Sequence, residues 1–157
     1  MPPVTVLRAD YDDPQHAAAI VALLDGYARD PMGGEKPLTD DVKARLVDGL
    51  KASPVSMVWL ARDGDQFVGV VTAFAGYSTF AAKPRWNVHD VAVDAAGRGR
   101  GIGRALLERV IADAEQAGAC AISLEVRHDN APARHLYRSL GWGDDVSPMD
   151  FWVRKIG

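Results

Sequence analysis

The stretch VHDVAVDAAGRGRGIGR, residues 88–104, decides the fold of this chain. Its first part is rich in β-branched residues and predicts a strand over residues 87–93. Glycine then occupies every second position from Gly97 to Gly103. The apolar residues Ile102, Leu106 and Val110 recur at helical spacing and predict a helix to about residue 117. A strand therefore passes through a glycine-rich turn directly into a helix.

The start of this helix is suited to an anion. The first N–H groups of a helix have no partner within it, and the helix dipole adds positive potential at that end. Arg98, Arg100 and Arg104 place three guanidinium groups there, and cations at a helix N-terminus oppose its dipole. A polyanion lying between them explains the pattern, and the alternative interpretation is a solvated basic loop.

Two common phosphate-binding patterns do not match the turn. The dinucleotide pattern G-x-G-x-x-G fails because its last position falls on Ile102, Arg104 or Leu106 in the possible registers. The P-loop pattern fails because the chain contains no Gly-Lys pair followed by Ser or Thr. Neither a dinucleotide nor a P-loop site is therefore expected.

The pattern that does match is R-x-x-G-x-G, with Arg98, Gly101 and Gly103 at its defined positions. It resembles the loop with which Gcn5-related N-acetyltransferases (the GNAT superfamily) bind the pyrophosphate of acetyl-coenzyme A. A second segment, NAPARHLYRSLGW at residues 130–142, is similar to that family's motif N-x-x-A-x-x-L-Y-x-x-x-G-F, with Trp142 in place of phenylalanine. The specific resemblance covers about residues 86–142.

The remaining sequence predicts an α/β fold with a single domain over residues 1–157. A hairpin is antiparallel, whereas a strand–helix–strand unit favours parallel neighbours, so the sheet is expected to be mixed. The resemblance implies a GNAT-like, mostly antiparallel central sheet, splayed between strands 4 and 5 and flanked by about four helices. We expect strands at residues 4–9, 55–61, 67–74, 87–93, 121–126 and 151–155, and helices at about 14–27, 40–50, 104–117 and 130–140.

The resemblance also implies a donor site and a catalytic acid. In the family, acetyl-coenzyme A enters where the fourth and fifth strands part, and main-chain groups of the fourth strand bind it. Tyr137 matches the family's general acid, although by helical spacing alone it could be a core aromatic residue. The implied donor-binding residues are Val91, Ala92, Val93, Arg98, Gly99, Arg100, Gly101, Ile102, Gly103, Arg104, Asn130, Ala133, Tyr137 and Arg138.

The sequence leaves the general base open. His89 and Asn87 lie four and six residues before Val93, where the family often has a base, and strand alternation places both on one face. Histidine side chains titrate near neutral pH, so His89 is the first candidate. Asp90 is ranked lower because the same alternation points it to the opposite face. Glu125 on the neighbouring strand is a further candidate that would act through water.

Composition argues against several other classes of protein. The chain has 157 residues, of which 48% are hydrophobic, and a net charge of -3, which disfavours nucleic-acid binding through the arginine-rich turn. Its single cysteine, Cys120, excludes an intrachain disulfide and is expected to be a small buried residue. His16, His128 and His135 show no metal-ligand spacing. No apolar run approaches the ~20 residues of a membrane span, and no signal-peptide pattern is present, so we expect a cytoplasmic location.

These observations favour an acetyltransferase that moves an acetyl group from acetyl-coenzyme A directly to an amine of a small-molecule or peptide acceptor, without a metal. The alternative is a catalytically silent acyl-coenzyme A-binding sensor or interaction module with the same fold. The loop at Asp30 and Glu35 and the patch of Tyr77, Phe80 and Trp86 are expected to face the acceptor. Neither nucleic acid nor a membrane is an expected partner, and a homodimer stays open.

Overall fold

A computed structural model describes residues 3–143 and 149–157 of the chain. Met1, Pro2 and residues 144–148 lie outside the described residues. The strands and helices are β1 Thr5–Arg8, α1 Pro14–Arg29, α2 Asp40–Ala52, β2 Ser56–Asp63, β3 Gln66–Ser78, β4 Lys83–Val93, α3 Ile102–Gln116, β5 Ala121–Leu124 and α4 Ala131–Ser139. A short 3-10 turn, Ala95–Gly97, joins β4 to the loop before α3. The predicted order of elements is confirmed as far as α4.

The five strands form one mixed sheet in the order β1-β2-β3-β4-β5. The first three pairings are antiparallel and the last, between β4 and β5, is parallel. β5 pairs with β4 only from Arg85–Ala121 to Val88–Leu124, whereas β4 continues to Val93 beside β3. The expected splay between the fourth and fifth strands is therefore present.

Helices cover both faces of this sheet. Because side chains alternate along a strand, Val71 of β3 faces α3 with Leu106, whereas Val70 faces α1 and α2 with Ile20 and Leu50. All of these side chains are buried. The sheet thus separates two apolar cores, and burial of both accounts for most of the stabilisation.

The first two helices start at residue types that favour the N-cap position, Asp13 for α1 and Thr39 for α2. The Asp13 carboxylate accepts hydrogen bonds from the N–H groups of Gln15 and His16 at 2.8 and 3.3 Å. The Thr39 hydroxyl accepts one from the Val42 N–H at 3.3 Å. Each cap satisfies backbone donors that the helix itself cannot pair.

Two predictions are wrong. Residues 151–155 do not form a strand, and the large side chains of Phe151 and Trp152 are exposed. β-rich composition reports how a side chain fits a half-buried sheet, and it does not supply the partner strand that pairing needs. Cys120 is exposed rather than buried, because it stands at the open end of β5, the edge strand of the sheet.

The hairpin between β3 and β4 is longer than predicted. The strands expected at residues 67–74 and 87–93 are both longer in the structure, because pairing extends to Ser78 and Lys83. The loop between them is therefore only residues 79–82. Pro84 lies at the second position of β4, near the strand start where proline is tolerated.

Gly69 of β3 lies where α3 packs closest to the sheet. A Cβ atom at Gly69 would lie 2.9 Å from Cδ1 of Leu106 and 3.2 Å from Cγ2 of Ile102. Because a packed core resists added volume, we expect Gly69→Ala to lower the free energy of unfolding by about 1–3 kcal/mol in a urea titration.

Gly49→Ala is the matched control for this substitution. Gly49 lies inside α2, and a Cβ atom there would meet nothing within 4 Å. Alanine is favoured over glycine in a helix by about 1 kcal/mol, so the same change should raise the free energy of unfolding. Equal effects at the two positions would contradict the packing of α3 against Gly69.

Candidate functional site

A cavity of about 120 Å³ lies where β4 and β5 part. Its walls come from the end of α1 and the loop that follows, from β4, from the end of β5 and from α4. The lining residues are Tyr27, Met32, Val88, His89, Val91, Leu124, Glu125, Val126, Arg127, Asn130, Ala133 and Tyr137. A larger open groove of about 300 Å³ lies along α2, but it contains none of the predicted site residues.

The cavity joins residues of β4 to residues of the second motif, and residues 98–104 of the glycine-rich turn are not part of its lining. His89 and Val91 reach it from β4, and Asn130, Ala133 and Tyr137 reach it from α4. The two segments are about 40 residues apart in the sequence. The splay of the sheet therefore brings together side chains that the motifs alone could only list.

Sequence reasoning missed six of the twelve lining residues: Val88, Leu124, Val126 and Arg127 on or just after the two strands, and Tyr27 and Met32 in and after α1. Tyr27 stands near the end of α1, and its hydroxyl donates a long hydrogen bond, 3.5 Å, to the Met32 carbonyl. The available signal was their position beside Asp30, in the loop expected to face the acceptor. The pKa of Tyr27 is raised, first by burial and then by the charges of Asp90 and Asp30.

A β-bulge interrupts β4 inside the site. Thr72 pairs with Asp90, but Ala73 pairs with Val88, so His89 is an extra residue opposite β3. The His89 ring packs on Phe74 with ring centroids 4.6 Å apart, on the α1–α2 face of the sheet. His89 shares this face with Asn87, as predicted, because Trp86 and Val88 on either side of Asn87 face α3. The bulge sets His89 on the opposite face from Val91 and Val93, which also face α3.

The prediction for Asp90 is wrong for the same reason. Alternation placed Asp90 on the face opposite His89, but the bulge resets the alternation. The Asp90 carboxylate accepts a hydrogen bond from the Thr72 hydroxyl. Thr72 has the same parity on β3 as Val70 and Phe74, which both face α1 and α2. Asp90 therefore lies on the same face as His89.

Asn87 connects β4 to β5 at the cavity entrance. Its side-chain amide donates to the Ser123 hydroxyl at 3.0 Å and to Glu125 Oε1 at 3.2 Å. Because the amide nitrogen is a donor without basic character, Asn87 fits the role of positioning Glu125 better than that of a base.

The glycine-rich turn leaves the start of α3 open. Gly99 and Gly101 have φ angles of 75° and 76°, a left-handed conformation that favours glycine. Gly101 is the N-cap residue and has no side chain to satisfy the helix donors. The first backbone bond into α3 runs from the Ala105 N–H to the Gly101 carbonyl at 3.0 Å. Within the described residues no acceptor pairs with the N–H groups of Ile102, Gly103 or Arg104.

The Ile102 and Ala92 side chains are buried in the two cores, so any part they take in binding falls to their main-chain groups. Gly103 faces α4, where a Cβ atom would make an ordinary van der Waals contact with Cδ2 of Leu136 at 3.4 Å. The resulting cradle of open amides matches what an anion needs at a helix start.

The three arginines of the turn and the start of α3, Arg98, Arg100 and Arg104, surround this cradle, and each has a protein partner. Arg100 forms an ion pair with Asp63 at 2.7 Å. Arg104 donates to the Ser139 hydroxyl at 2.6 Å and so connects α3 to α4. Arg138, on the same helix as Ser139, is exposed. These cations add positive potential beside the open amides.

Arg98 is the arginine that connects the turn to the cavity wall. Its Nη2 donates to Asp30 Oδ2 at 2.9 Å, and its Nε donates to the Val93 carbonyl at 3.3 Å. Met32, whose N–H donates to Asp30 Oδ1 at 3.0 Å, lines the cavity. The pKa of Asp30 is lowered by the Met32 N–H and by Arg98. Asp30 therefore stays ionised between two donors.

The second motif forms α4. Asn130 is the N-cap residue, and its side-chain oxygen accepts a hydrogen bond from the Ala133 N–H at 3.3 Å. Helical spacing then places Ala133 and Tyr137 on the side that faces the cavity. The motif's polar residue thus fixes the helix start, and its tyrosine faces β4.

Tyr137 is mostly buried, and burial raises the pKa of its phenol to about 12, with a smaller contribution from Tyr27. Its hydroxyl has no hydrogen-bond partner among the described residues, and since none of their buried side-chain N or O atoms lacks a partner, the hydroxyl oxygen is open to the cavity although most of the ring is buried. The ring makes an edge contact with Trp142, whose Nε1 donates to the Ile122 carbonyl at 2.8 Å. Tryptophan at this position therefore anchors α4 to β5 through a bond that the family's phenylalanine lacks. Tyr137 is held as a neutral phenol.

The aromatic patch expected to face the acceptor is not a single surface. Trp86 is only 5% exposed and packs against Trp59 in the core under α3. Tyr77 and Phe80 are exposed at the far end of the β3–β4 hairpin. The bulge explains the placement of Trp86. Before the bulge the even-numbered residues of β4 face α3, whereas after it the odd-numbered residues do.

The described residues contain no group of three or more His, Cys, Asp or Glu side chains placed to hold a metal ion. Among residues 3–143 and 149–157, no helix combines the length and apolar character that crossing a bilayer requires.

The motifs and this geometry agree with a comparison to known families. The model of the acetyltransferase (GNAT) family matches residues 17–142. This chain belongs to the GNAT family. The match spans both motifs, the cavity and every element from α1 to α4.

Similar proteins include acetyltransferases with different acceptors in their names. Streptothricin acetyltransferase of Streptomyces lavendulae is 34% identical over 125 residues, 75% of this chain and 64% of that protein. N-alpha-acetyltransferase RimI of Mycobacterium tuberculosis is 43% identical over 93 residues, 58% of this chain and 54% of that protein. The chain thus spans about half to two thirds of these curated relatives. A crystal structure of a probable acetyltransferase shares the fold, with a TM-score of 0.84, 19% identity and coverage of 98% of this chain and 99% of that one.

The state of Tyr137 can be tested by ultraviolet difference titration. Because burial disfavours the charged phenolate, the Tyr137 phenol should stay neutral at about pH 10, where free tyrosine ionises. We expect one of the four tyrosines to ionise near pH 12, and Tyr137→Phe should remove that step. Loss of a step near 10 instead would show that the phenol is solvated.

Proposed function

We propose that this GNAT protein transfers an acetyl group from acetyl-coenzyme A directly to an amine, in a complex that holds both substrates. The observation that carries the proposal is a neutral, buried phenol, Tyr137, in the same cavity as the edge of β4 that β5 leaves unpaired. A protein that only bound the coenzyme would not need a proton donor there.

The donor site combines the turn and the splayed strand. The diphosphate of acetyl-coenzyme A fits the open N–H groups of Ile102, Gly103 and Arg104, where the helix dipole and the nearby guanidinium groups favour negative charge. The pantetheine arm would follow β4, since the Val91 main chain lies in the unpaired part of the strand and lines the cavity. This arrangement directs the thioester toward Tyr137.

The transfer removes two protons from the ammonium nitrogen, one before it attacks and one after the C–N bond has formed. The second of these protons replaces the one that the phenol gives to the departing thiolate. An ammonium group has a pKa near 10.4 and must lose a proton before its nitrogen can attack the thioester carbon. The new C–N bond forms, the C–S bond breaks, and the departing thiolate gains a proton. We assign that proton to the Tyr137 hydroxyl, which is neutral at physiological pH and has no competing protein partner among the described residues.

His89 is the proposed base, and Glu125 is the alternative. Both side chains line the cavity. The bulge turns His89 toward the α1–α2 face, where its ring packs on Phe74. Glu125 is held by Asn87 and would take the proton through a water molecule.

The acceptor is proposed to be a positively charged amine. The carboxylates of Glu125 and Asp90 lie at or near the cavity. The charge of Arg127 is matched by its ion pair with Asp129 at 2.8 Å, and that of Asp30 by its ion pair with Arg98 at 2.9 Å. An excess of negative charge attracts cationic substrates and raises their local concentration. The relatives' names indicate streptothricin in one case and an α-amino group in the other.

The direct experiment measures thiol release from acetyl-coenzyme A across a panel of amines, beside calorimetric titration of the coenzyme. The panel should include small polyamines, aminoglycosides and peptides with a free N-terminus. Binding together with thiol release that depends on an amine supports the enzyme. Binding without release from any acceptor would favour the sensor, and the absence of binding would overturn both interpretations.

Two substitutions should separate the chemistry from donor binding. Tyr137→Phe removes the proton donor, so we expect kcat to fall about 10²-fold or more while the coenzyme dissociation constant changes little. Gly101→Asp places a negative charge at the N-cap of α3, so it should weaken coenzyme binding. Reduced turnover with unchanged coenzyme affinity in Gly101→Asp would contradict the donor site.

Each substitution has a matched control. Tyr11→Phe removes a tyrosine hydroxyl bonded to Ser56, and Tyr11 is not part of the cavity lining. Gly118→Asp makes the same change at a glycine with φ of 71°, beyond the other end of α3. Both controls should keep coenzyme affinity and turnover close to those of the parent protein.

The base can be identified from the pH dependence of kcat/KM. Loss of the base removes the limb of the profile that rises with pH. We expect His89→Ala to flatten that limb and Glu125→Gln to leave it in place at a lower amplitude. The reverse result would transfer the role to Glu125.

A further inference from the structure

The arginine-rich turn and the acceptor cavity are connected by one ion pair. Arg98 lies in the turn after β4, and Asp30 lies in the α1 loop, residues 30–38, which follows α1. Their contact, Nη2 to Oδ2 at 2.9 Å, joins positions 68 residues apart. Because the two segments are far apart in the sequence, this contact between side chains joins them.

Asp30 organises the α1 loop from its first position. Its carbonyl accepts hydrogen bonds from the N–H groups of Gly33, Gly34 and Glu35, at 2.8, 3.2 and 3.3 Å. Its Oδ1 accepts from the Met32 N–H at 3.0 Å, which leaves Oδ2 for Arg98. A displacement of Asp30 would therefore move Met32, which lines the cavity.

Arg98 has donors to spare for a ligand. A guanidinium group has five N–H donors, and those of Arg98 bond only to Asp30 and the Val93 carbonyl among the described residues. The side chain is 61% exposed, whereas that of Asp30 is 22% exposed. A diphosphate at the start of α3 can therefore bind Arg98 without displacing Asp30.

We propose that Asp30 is a positioning residue that couples the donor site to the acceptor cavity: a diphosphate bound by Arg98 fixes Asp30, and Asp30 fixes the cavity wall at Met32 and Tyr27. The inference rests on the proposed donor site. Since coupling between two sites is reciprocal, an acceptor held against this wall also tightens donor binding.

Hydrogen exchange measured by mass spectrometry tests the coupling, with coenzyme A as the probe. At saturating coenzyme A, amides of the α1 loop in the parent protein should exchange at least about fivefold more slowly, at the lower end of typical coupling between sites. In Asp30→Asn the same comparison should show no slowing. Asparagine keeps an oxygen that can accept from the Met32 N–H, so the loop retains its own bonds.

Asp63→Asn is the matched control. It removes the carboxylate that pairs with Arg100 in the same turn, but Asp63 lies at the end of β2 and is not part of the cavity lining. Slowing of the α1 loop by coenzyme A should persist in this variant. Exchange of α3 amides in the same samples reports whether each variant is folded.

The outcomes separate this inference from the function on which it rests. A purely structural role for Asp30 would speed exchange in Asp30→Asn equally with and without coenzyme A and leave the slowing ratio unchanged. That result, or equal slowing in all three proteins, would overturn the coupling while donor binding stands. Absence of coenzyme A binding to the parent protein would overturn both.

Discussion

The separation of β4 from β5 is the constraint on which the site depends. Pairing stops after Val88 and Leu124, although β4 runs on to Val93. An unpaired strand edge inside a protein is costly unless something else bonds to it, so the gap is a built-in place for an extended ligand. The same gap leaves room for Tyr137 of α4 to face β4. The proposed donor binding and the proposed proton donation thus both depend on one local loss of pairing.

The bulge at His89 acts on the same strand in a different way. One extra residue reverses the facing of β4, so Trp86 and Val88 enter the core under α3 together with Val91 and Val93 beyond the bulge. Without it, the two halves of β4 would present opposite faces to that core. The bulge also places His89 and Asp90 on one face, next to the acidic end of the cavity.

Electrostatic forces at the site are arranged in two opposing regions. The turn before α3 carries Arg98, Arg100 and Arg104 beside open helix amides, and the cavity entrance carries an excess of carboxylates. This arrangement would draw the proposed anionic donor and the proposed cationic acceptor to adjacent places. The ion pair between Arg98 and Asp30 is the contact at which the two regions meet.

The sequence alone determined the elements, the helix caps and both motifs, because periodicity, capping residues and glycine spacing are local properties. Tyr137 and the arginine-rich turn were indicated by the resemblance of two short motifs to a known family, and these motifs can likewise be found within single segments of the sequence. Only the tertiary structure decided the facing of Asp90, the burial of Trp86 and the absence of a strand at residues 151–155. A bulge, a strand partner and the approach of Tyr27 and Met32 to α4 depend on contacts between distant segments, which no local pattern specifies.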